Sequence, residues 1–565
     1  MTAVRFGPRD SREKVRLLER LAACPIRVPD ALLRLHEGLC FLQAYADDGR
    51  VLAAVNRALE GFPSRIGLLG RLATSRLGDS GIAGTTLDYP FGFPMARWLA
   101  QRFPRHVDVA WNRFTDQDHF REVLGLLVHP MEEEAFSEFG LQSRHWLRLA
   151  KDDRRLSDVE LLVELFERAR LTPDARDVLF ERLALPLRWI LHGPGASRTL
   201  ARLSRSRPFF RLGRPLAGST ARRPIDVRRE ITRPLPSLRR APRALATLMI
   251  DAARSALAVR LRELHGISYA NPDDVLLADP GRGLRIALIG VLPKHRLPLE
   301  SFFGYLILQN GAPVGYGGAW HLFGTLEFGI NIFETFRRGE SAHITTQVLR
   351  VFHHALRVRA VVLQPFQIGH GNPEAIVSGA FHFYYRLGFR PRDPDVSRLA
   401  EREQAKIAQN ASYRTPLRTL ERLAESEMSL SVSRGERAPG RRIRARELAG
   451  LATEHIARNF QGDRDAAANW ASARVVRALD VPGYARWAPD ERRSFDQLSL
   501  LAALIPDLHA WGASDKSRLA RTLRAKGGRS EVPYVRLLDG HRRFRESLET
   551  RVAGGARALG SEQEP

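Results

Sequence analysis

Residues 299–394 read LESFFGYLILQNGAPVGYGGAWHLFGTLEFGINIFETFRRGESAHITTQVLRVFHHALRVRAVVLQPFQIGHGNPEAIVSGAFHFYYRLGFRPRDP. The apolar run Phe302 to Leu308 meets Asn310-Gly311, a pair that tolerates positive φ, and the chain returns through Val314 to Trp320. That is the pattern of a β-hairpin. A further strand, Thr325 to Phe333, follows Phe323-Gly324. After Phe336-Arg337-Arg338-Gly339-Glu340-Ser341 the period changes. Ile344, Val348, Val351, Phe352 and Ala355 recur at three- and four-residue steps, which predicts a helix with one buried face. A short apolar strand, Ala360 to Leu363, and a second helix from about Pro373 to Leu387 follow. The order strand, glycine-bearing basic loop, helix aims unpaired amides and a positive dipole end at whatever lies above the loop, a place that suits a pyrophosphate.

This order, together with the closing run Tyr384-Tyr385-Arg386-Leu387-Gly388-Phe389, resembles the GNAT N-acetyltransferase superfamily over about residues 285–395. In that family a splayed strand leads into a loop patterned Gln/Arg-x-x-Gly-x-Gly/Ala that cradles the pyrophosphate of coenzyme A. Here Phe336 stands at the first loop position, Gly339 at the second and Ser341 at the last. Asn372-Pro373-Glu374-Ala375 is similar to the family's Asn-x-x-Ala helix start. The candidate first strand, Arg285 to Leu292, is followed only by PKHRLPLE, where the family places one or two helices.

The resemblance implies acetyl-coenzyme A or another acyl-coenzyme A as co-substrate and an amine as acceptor. Its candidate contacts are Arg337, Arg338, Gly339, Glu340, Ser341, Ala342 and Asn372, with the two arginines as charge partners for phosphate. Acyl transfer to an amine also needs a base and an acid. Glu327 and Glu334 are the nearest carboxylates, with His321 as an alternative base. Tyr384 stands where the family often carries a tyrosine acid. Each has a plainer reading as well: a solvated turn for the arginines, an edge residue for Glu327, a capped core aromatic for Tyr384.

A chain of 565 residues is too long for one core, and its length favours two to four domains. The net charge of +25 comes almost wholly from Arg. That bias, with abundant Ala, Gly and Leu, is what a GC-rich bacterial genome produces, so it is weaker evidence for nucleic acid than its size suggests. Cys24 and Cys40 cannot by themselves build a disulfide framework or a zinc site, and no metal site is expected. The N-terminal residues carry charges where a signal peptide needs an apolar core. No apolar stretch approaches a membrane span, and a cytoplasmic protein is expected.

The resulting fold class is multidomain α+β: a GNAT-like mixed α/β domain between two mainly helical ones. The first spans 1–198, with helices Ala31 to Ala44, Val51 to Leu59, Pro94 to Arg102, Val159 to Arg170 and Asp174 to Leu183. Within it Asp79 to Thr86 reads as a structural turn, and His36 and Cys40 as a core thiol beside a capped histidine. Residues 199–243 are dense in Arg and Pro and read as an extended linker. The central domain covers 244–400 and opens on the amphipathic helix 245–265, followed by a loop from Ile267 to Pro280. Helix and linker occupy 401–440. A helical domain spans 441–552, its basic loop Arg524 to Arg529 explained by a helix C-cap and turn, and a disordered tail runs over 553–565. No internal repeat is read. Two other classes fit the same sequence: a catalytically silent GNAT-like scaffold, and a basic protein making weak, sequence-independent nucleic-acid contacts through the linker.

Overall fold

The computed structural model describes residues 5–137, 141–192, 196–203, 208–211, 225–337, 339–410, 412–432 and 443–560. The chain is mixed α+β, with two sheets. The N-terminal part forms its expected helices, among them Pro29–Ala44, Gly49–Glu60, Phe93–Arg102, Asp158–Arg168 and Pro173–Arg182. Asp48 caps the second of these by accepting from the amides of Arg50 and Val51. The same part also holds three short strands that helical periodicity does not reveal: β1 (Thr86–Tyr89), β2 (Val107–Val109) and β3 (Leu187–Ile190), in the order β1-β3-β2. They are three or four residues long, too short to show a period.

The large sheet contains β4 (Ser237–Arg240), β5 (Ala270–Gly281), β6 (Leu284–Val291), β7 (Ser301–Gln309), β8 (Ala312–Leu322), β9 (Thr325–Ile332), β10 (Ala360–Leu363), β11 (Arg390–Pro391) and β12 (Met428–Ser431). Its order is β11-β12-β10-β9-β8-β7-β6-β5-β4. All neighbours are antiparallel except β9 and β10, which the helix Ser341–Leu356 joins as a parallel crossover. The β7–β8 hairpin turns at Asn310 (φ 49°) and Gly311 (φ 81°), as its sequence predicts.

Five segments differ from the sequence reading. The tail expected to be disordered over 553–565 is helical as far as Gly560, the end of the helix Arg542–Gly560, and the residues after it lie outside the described ones. The loop expected over Ile267 to Pro280 is β5. Its ladder with β6 slips between Ala270 and Val275, where Asn271-Pro272-Asp273-Asp274 bulges out. The helix expected from Pro373 to Leu387 is two helices, Pro373–Val377 and Ala380–Arg386, broken at Gly379 (φ 70°). The polar segment after Arg398 ends in β12, which inserts between β10 and β11. In the Arg/Pro-rich segment 199–243, the described residues are packed rather than extended in solvent. They include the helix Val227–Thr232, which lies on Ser341–Leu356, and β4, which pairs with β5. Its arginines find acceptors in the fold: Arg202 on the Asn310 carbonyl, Arg228 on the Ser431 carbonyl, Arg240 on the Asp273 carbonyl and Arg243 on the Asp273 carboxylate.

The regions expected as separate domains share apolar core. One cluster runs from Leu18 and Val55 through Ile286, Phe352 and Leu430 to Phe495 and Leu548. A second holds Phe93, Phe166, Phe180 and Trp189 together with Ala258 and Val259 at the end of the helix Arg243–Ala258. That helix therefore bridges both cores, and its Asp251 accepts from the Trp98 indole at 2.9 Å.

The C-terminal helices do contain a repeated unit. Val481-Pro482-Gly483-Tyr484-Ala485-Arg486-Trp487 and Ile505-Pro506-Asp507-Leu508-His509-Ala510-Trp511 each make a 3₁₀ turn that ends on an extended Trp before the next helix. Only Pro and Trp are identical at corresponding places, so helical period alone hides the match. The basic loop after the helix Ala513–Ala525 docks on the β5 bulge. Arg296 donates to the carbonyls of Lys526 (2.6 Å) and Gly528 (2.7 Å), while Asp274 accepts from Ser530 and from the Glu531 amide. Buried Lys526 and Glu531 form an ion pair beside them, and burial pulls the lysine's pKa down.

Candidate active site

β9 and β10 part company early. Their parallel register pairs Ala360 with Thr325, Val361 with Leu326 and Val362 with Glu327, and β10 ends at Leu363. β9 continues to Ile332, paired throughout with β8. From Phe328 to Ile332 its other edge therefore faces no strand. The short helix Pro365–Ile368 follows β10 at this fork.

Side-chain amides bridge the fork. Gln364 donates through Nε2 to Glu327 Oε2 at 2.8 Å. Gln367 Nε2 reaches both the Ile330 carbonyl (3.1 Å) and the Tyr384 hydroxyl (2.8 Å). Since Gln367 donates to the phenol oxygen, the Tyr384 proton is free to serve another acceptor. Tyr384 is buried, which raises its pKa and keeps it protonated. Gly329 permits this closeness, because a Cβ there would stand 3.3 Å from Gln367 Oε1. On the other side of the strand, the Tyr305 hydroxyl donates to the Gly329 carbonyl at 2.6 Å, its ring lying where a side chain on Gly317 would collide.

Of the proposed acid–base groups, the fold thus gathers Glu327 and Tyr384 around one pair of glutamines. Glu334 lies beyond the end of β9, exposed at a 3₁₀ turn. His321 is buried on β8 and faces Asp539 of the helix Val532–Gly540 at 3.4 Å. Burial drops the imidazole to about 3 and lifts the carboxyl to about 7. His321 belongs to the packing between sheet and C-terminal helices, and no base function follows from its position.

The loop before the helix Ser341–Leu356 has a different character. Arg337 donates through Nε to the Ile332 carbonyl (3.0 Å) and through Nη2 to Glu374 (2.5 Å), which also lies 3.8 Å from Arg262. Ser341 Oγ is bonded to the Arg337 carbonyl at 3.0 Å. Gly339 packs under the helix Pro29–Ala44, where a Cβ would stand 2.8 Å from the Tyr45 hydroxyl. Glu340 is buried and accepts from both terminal nitrogens of buried Arg211 and from Arg282 at 3.0 Å. A carboxylate at a helix N-terminus is favourable, so the protein's own acid occupies part of the ground a phosphate would want. Ala342 packs on the core. Asn372 spends its side chain on the fold, accepting from the Ala375 amide (3.2 Å) and donating to the Phe366 carbonyl (3.1 Å). Arg338, and the linker residues Arg222 and Arg223, lie outside the described residues.

Gln364, Gln367, Tyr45, Arg211 and Arg282 were not among the residues singled out by sequence. The one available signal was the Gln-Pro-Phe-Gln run immediately after β10. Arg211 comes from more than a hundred residues upstream and leaves no local trace. Among the described residues no group of three or more His, Cys, Asp or Glu side chains could hold a metal ion. No helix among them is long and apolar enough to cross a membrane. Comparison with known protein families, with curated proteins and with solved structures finds no match to this chain.

Proposed function

We propose that the fork between β9 and β10 binds an acyl-coenzyme A and transfers its acyl group to an amine. The observation that carries this reading is the edge of β9 from Phe328 to Ile332, which β10 leaves uncovered and whose Ile330 and Ile332 carbonyls are met by the side chains of Gln367 and Arg337, lying beside a protonated tyrosine and a carboxylate. By displacing those two side-chain donors, an extended thioester arm can add to such an edge as a strand would, through main-chain hydrogen bonds. The amine nitrogen attacks the thioester carbon and the carbon–sulfur bond breaks. Glu327 takes the amine proton, and Tyr384 gives its phenolic proton to the departing thiolate. Glu334, exposed at the strand's end, is the second candidate base. Arg337 and Arg262 offer charge to the phosphates once Glu374 is displaced, with Gly339, Ser341 and Ala342 in the adjoining loop and Asn372 at the neighbouring helix start. A cytoplasmic setting is consistent with such a co-substrate.

A second reading, a catalytically silent scaffold of the same fold, is favoured by one observation: Glu340 already fills its place with Arg211 and Arg282. Nucleic-acid binding through the 199–243 segment is less favoured, since Arg211, Arg228, Arg240 and Arg243 are bonded within the chain. Calorimetric titration with acetyl-coenzyme A separates the first two. Binding by wild type that survives Tyr384→Phe, with transfer slowed, supports the enzyme. An absence of heat at millimolar coenzyme, with circular dichroism unchanged, leaves the scaffold.

A further inference from the structure

The N-terminal helices carry an apolar surface that the fork does not use. Phe62, Ile66 and Leu69 point inward and fix the turn after the helix Gly49–Glu60. That leaves Leu68 (78% exposed) and Leu72 (84% exposed) projecting outward, four residues apart. Beside them is a groove of about 600 Å³ floored by Leu18, Ala22, Ala54 and Ala58. Arg65 closes one end, donating to the carbonyls of Leu21 (2.6 Å) and Ala22 (2.8 Å). Arg76, four residues after Leu72, reaches Asp30 at 3.7 Å, and Val28, two residues before Asp30, is 58% exposed. Arg27, Arg57, Arg71 and Arg76 are all exposed around this surface, against Glu19 and Asp30.

We propose that this face docks on the surface of an anionic lipid bilayer. Projecting leucines ringed by guanidinium groups match the two layers such a surface presents, an acyl boundary beneath a plane of phosphates. Leu68 stands at the rim of the groove and Leu72 projects beyond it, with Arg27 and Arg57 on the same lining, so the apolar contact is bordered by positive charge as an anionic bilayer surface requires. The chain's net charge of +25 steers it toward negative surfaces. The attachment is peripheral and independent of the acyl-transfer reading.

The test is co-sedimentation of the full chain with vesicles of phosphatidylcholine alone or mixed with phosphatidylglycerol. Binding is expected to the mixed vesicles at low ionic strength, falling as salt rises, and to be weak on phosphatidylcholine alone. L68S/L72S should lower it by about tenfold or more, because two exposed leucines supply most of the apolar contact. R27S/R71S should weaken it and flatten its salt dependence. Leu417→Ser, at a leucine exposed elsewhere (59%), should leave it unchanged. The proposal is overturned by absence of binding to the mixed vesicles, by equal binding of L68S/L72S, or by an equal loss in Leu417→Ser. Saturable binding of an acidic amphipathic peptide without vesicle binding would assign the face to a protein partner and overturn it as well. All substituted residues are exposed, so circular dichroism should match wild type.

Discussion

The two ends of β9 are built on opposite principles. Where the strand leaves β10, the side-chain amides of Gln364 and Gln367 bridge a gap with one and two hydrogen bonds respectively. Beyond its other end, the turn into the helix Ser341–Leu356 is closed by a carboxylate gripped by two guanidinium groups, under the ring of Tyr45. Such bridges cost little to open, since a neutral bond such as those of Gln367 is worth about 1 kcal/mol net and the bond from Gln364 to the Glu327 carboxylate about 1.5–3 kcal/mol. A buried ion pair is expensive to break because either partner alone is an uncompensated charge. A ligand can thus enter at the fork far more cheaply than it can displace Glu340, which is why we propose the fork rather than the loop as the place of acyl transfer.

The largest expected effect breaks the closed end. Glu340→Ala leaves Arg211 buried without its carboxylate and should cost about 3–5 kcal/mol of stability, read by urea denaturation. A loss below about 1 kcal/mol would mean that the loop is as easily opened as the fork. Gly339→Val should also lower stability, because its side chain would press on the Tyr45 hydroxyl and the Phe336 carbonyl. Sequence alone suggests instead that a loop glycine can be changed without harm to the fold. Co-denaturation with Tyr45→Phe would show whether that contact is the cause.

At the fork the expected effects are on activity. Tyr384→Phe should slow acyl transfer by about 10²- to 10⁴-fold and reduce stability by only about 1 kcal/mol, the bond from Gln367 being lost. Gln367→Ala should instead alter coenzyme affinity with a smaller change in transfer rate. Equal losses in rate for both variants would argue that they disturb one shared structure.

A pH effect comes from buried His321 and its partly buried neighbour Asp539. The folded pKa of Asp539 is raised to about 7 from 3.8, so its contribution to stability is full below about 4 and is lost as pH rises through 7. His321 runs the other way. With its folded pKa lowered to about 3 from 6.5, it withholds stability at acid pH and restores it as pH approaches 6.5. The two offset each other between about 4 and 6.5. Asp539→Asn removes the first, and its stability relative to wild type should rise from pH 4 to 7. A ratio independent of pH would refute the assignment. The smallest effect is Arg337→Ala. Its partner Glu374 is more than half exposed, so stability should change by less than about 1 kcal/mol, while coenzyme affinity should fall if Arg337 meets phosphate.

Much of the central sheet was legible because local sequence records it. Asn310-Gly311 and Phe323-Gly324 supply the positive φ that tight reversals need, and the apolar positions from Ile344 to Ala355 mark the buried face of one helix. Tyr384 could be chosen by its place in a motif. What period cannot record is the identity of the neighbour on the buried side. β12 is four residues long and lies between β10 and β11, pairing antiparallel with both, a placement that no local period signals. The described part of the 199–243 segment, unremarkable as anything but a connector, is ordered by carbonyls and carboxylates far along the chain. The sequence by itself determined the β7–β8 hairpin, β9 and the helix Ser341–Leu356, where turn residues or a sustained period mark the element, but not β5, whose Asn271-Pro272-Asp273-Asp274 run masks a strand. Tertiary structure alone decided that Glu340 would face Arg211, that Gln367 would stand between β9 and Tyr384, and that His321 would turn toward Asp539. Each of those is a contact between residues whose separation along the chain is unrelated to any local period, fixed by the packing of whole elements rather than by preferences within one.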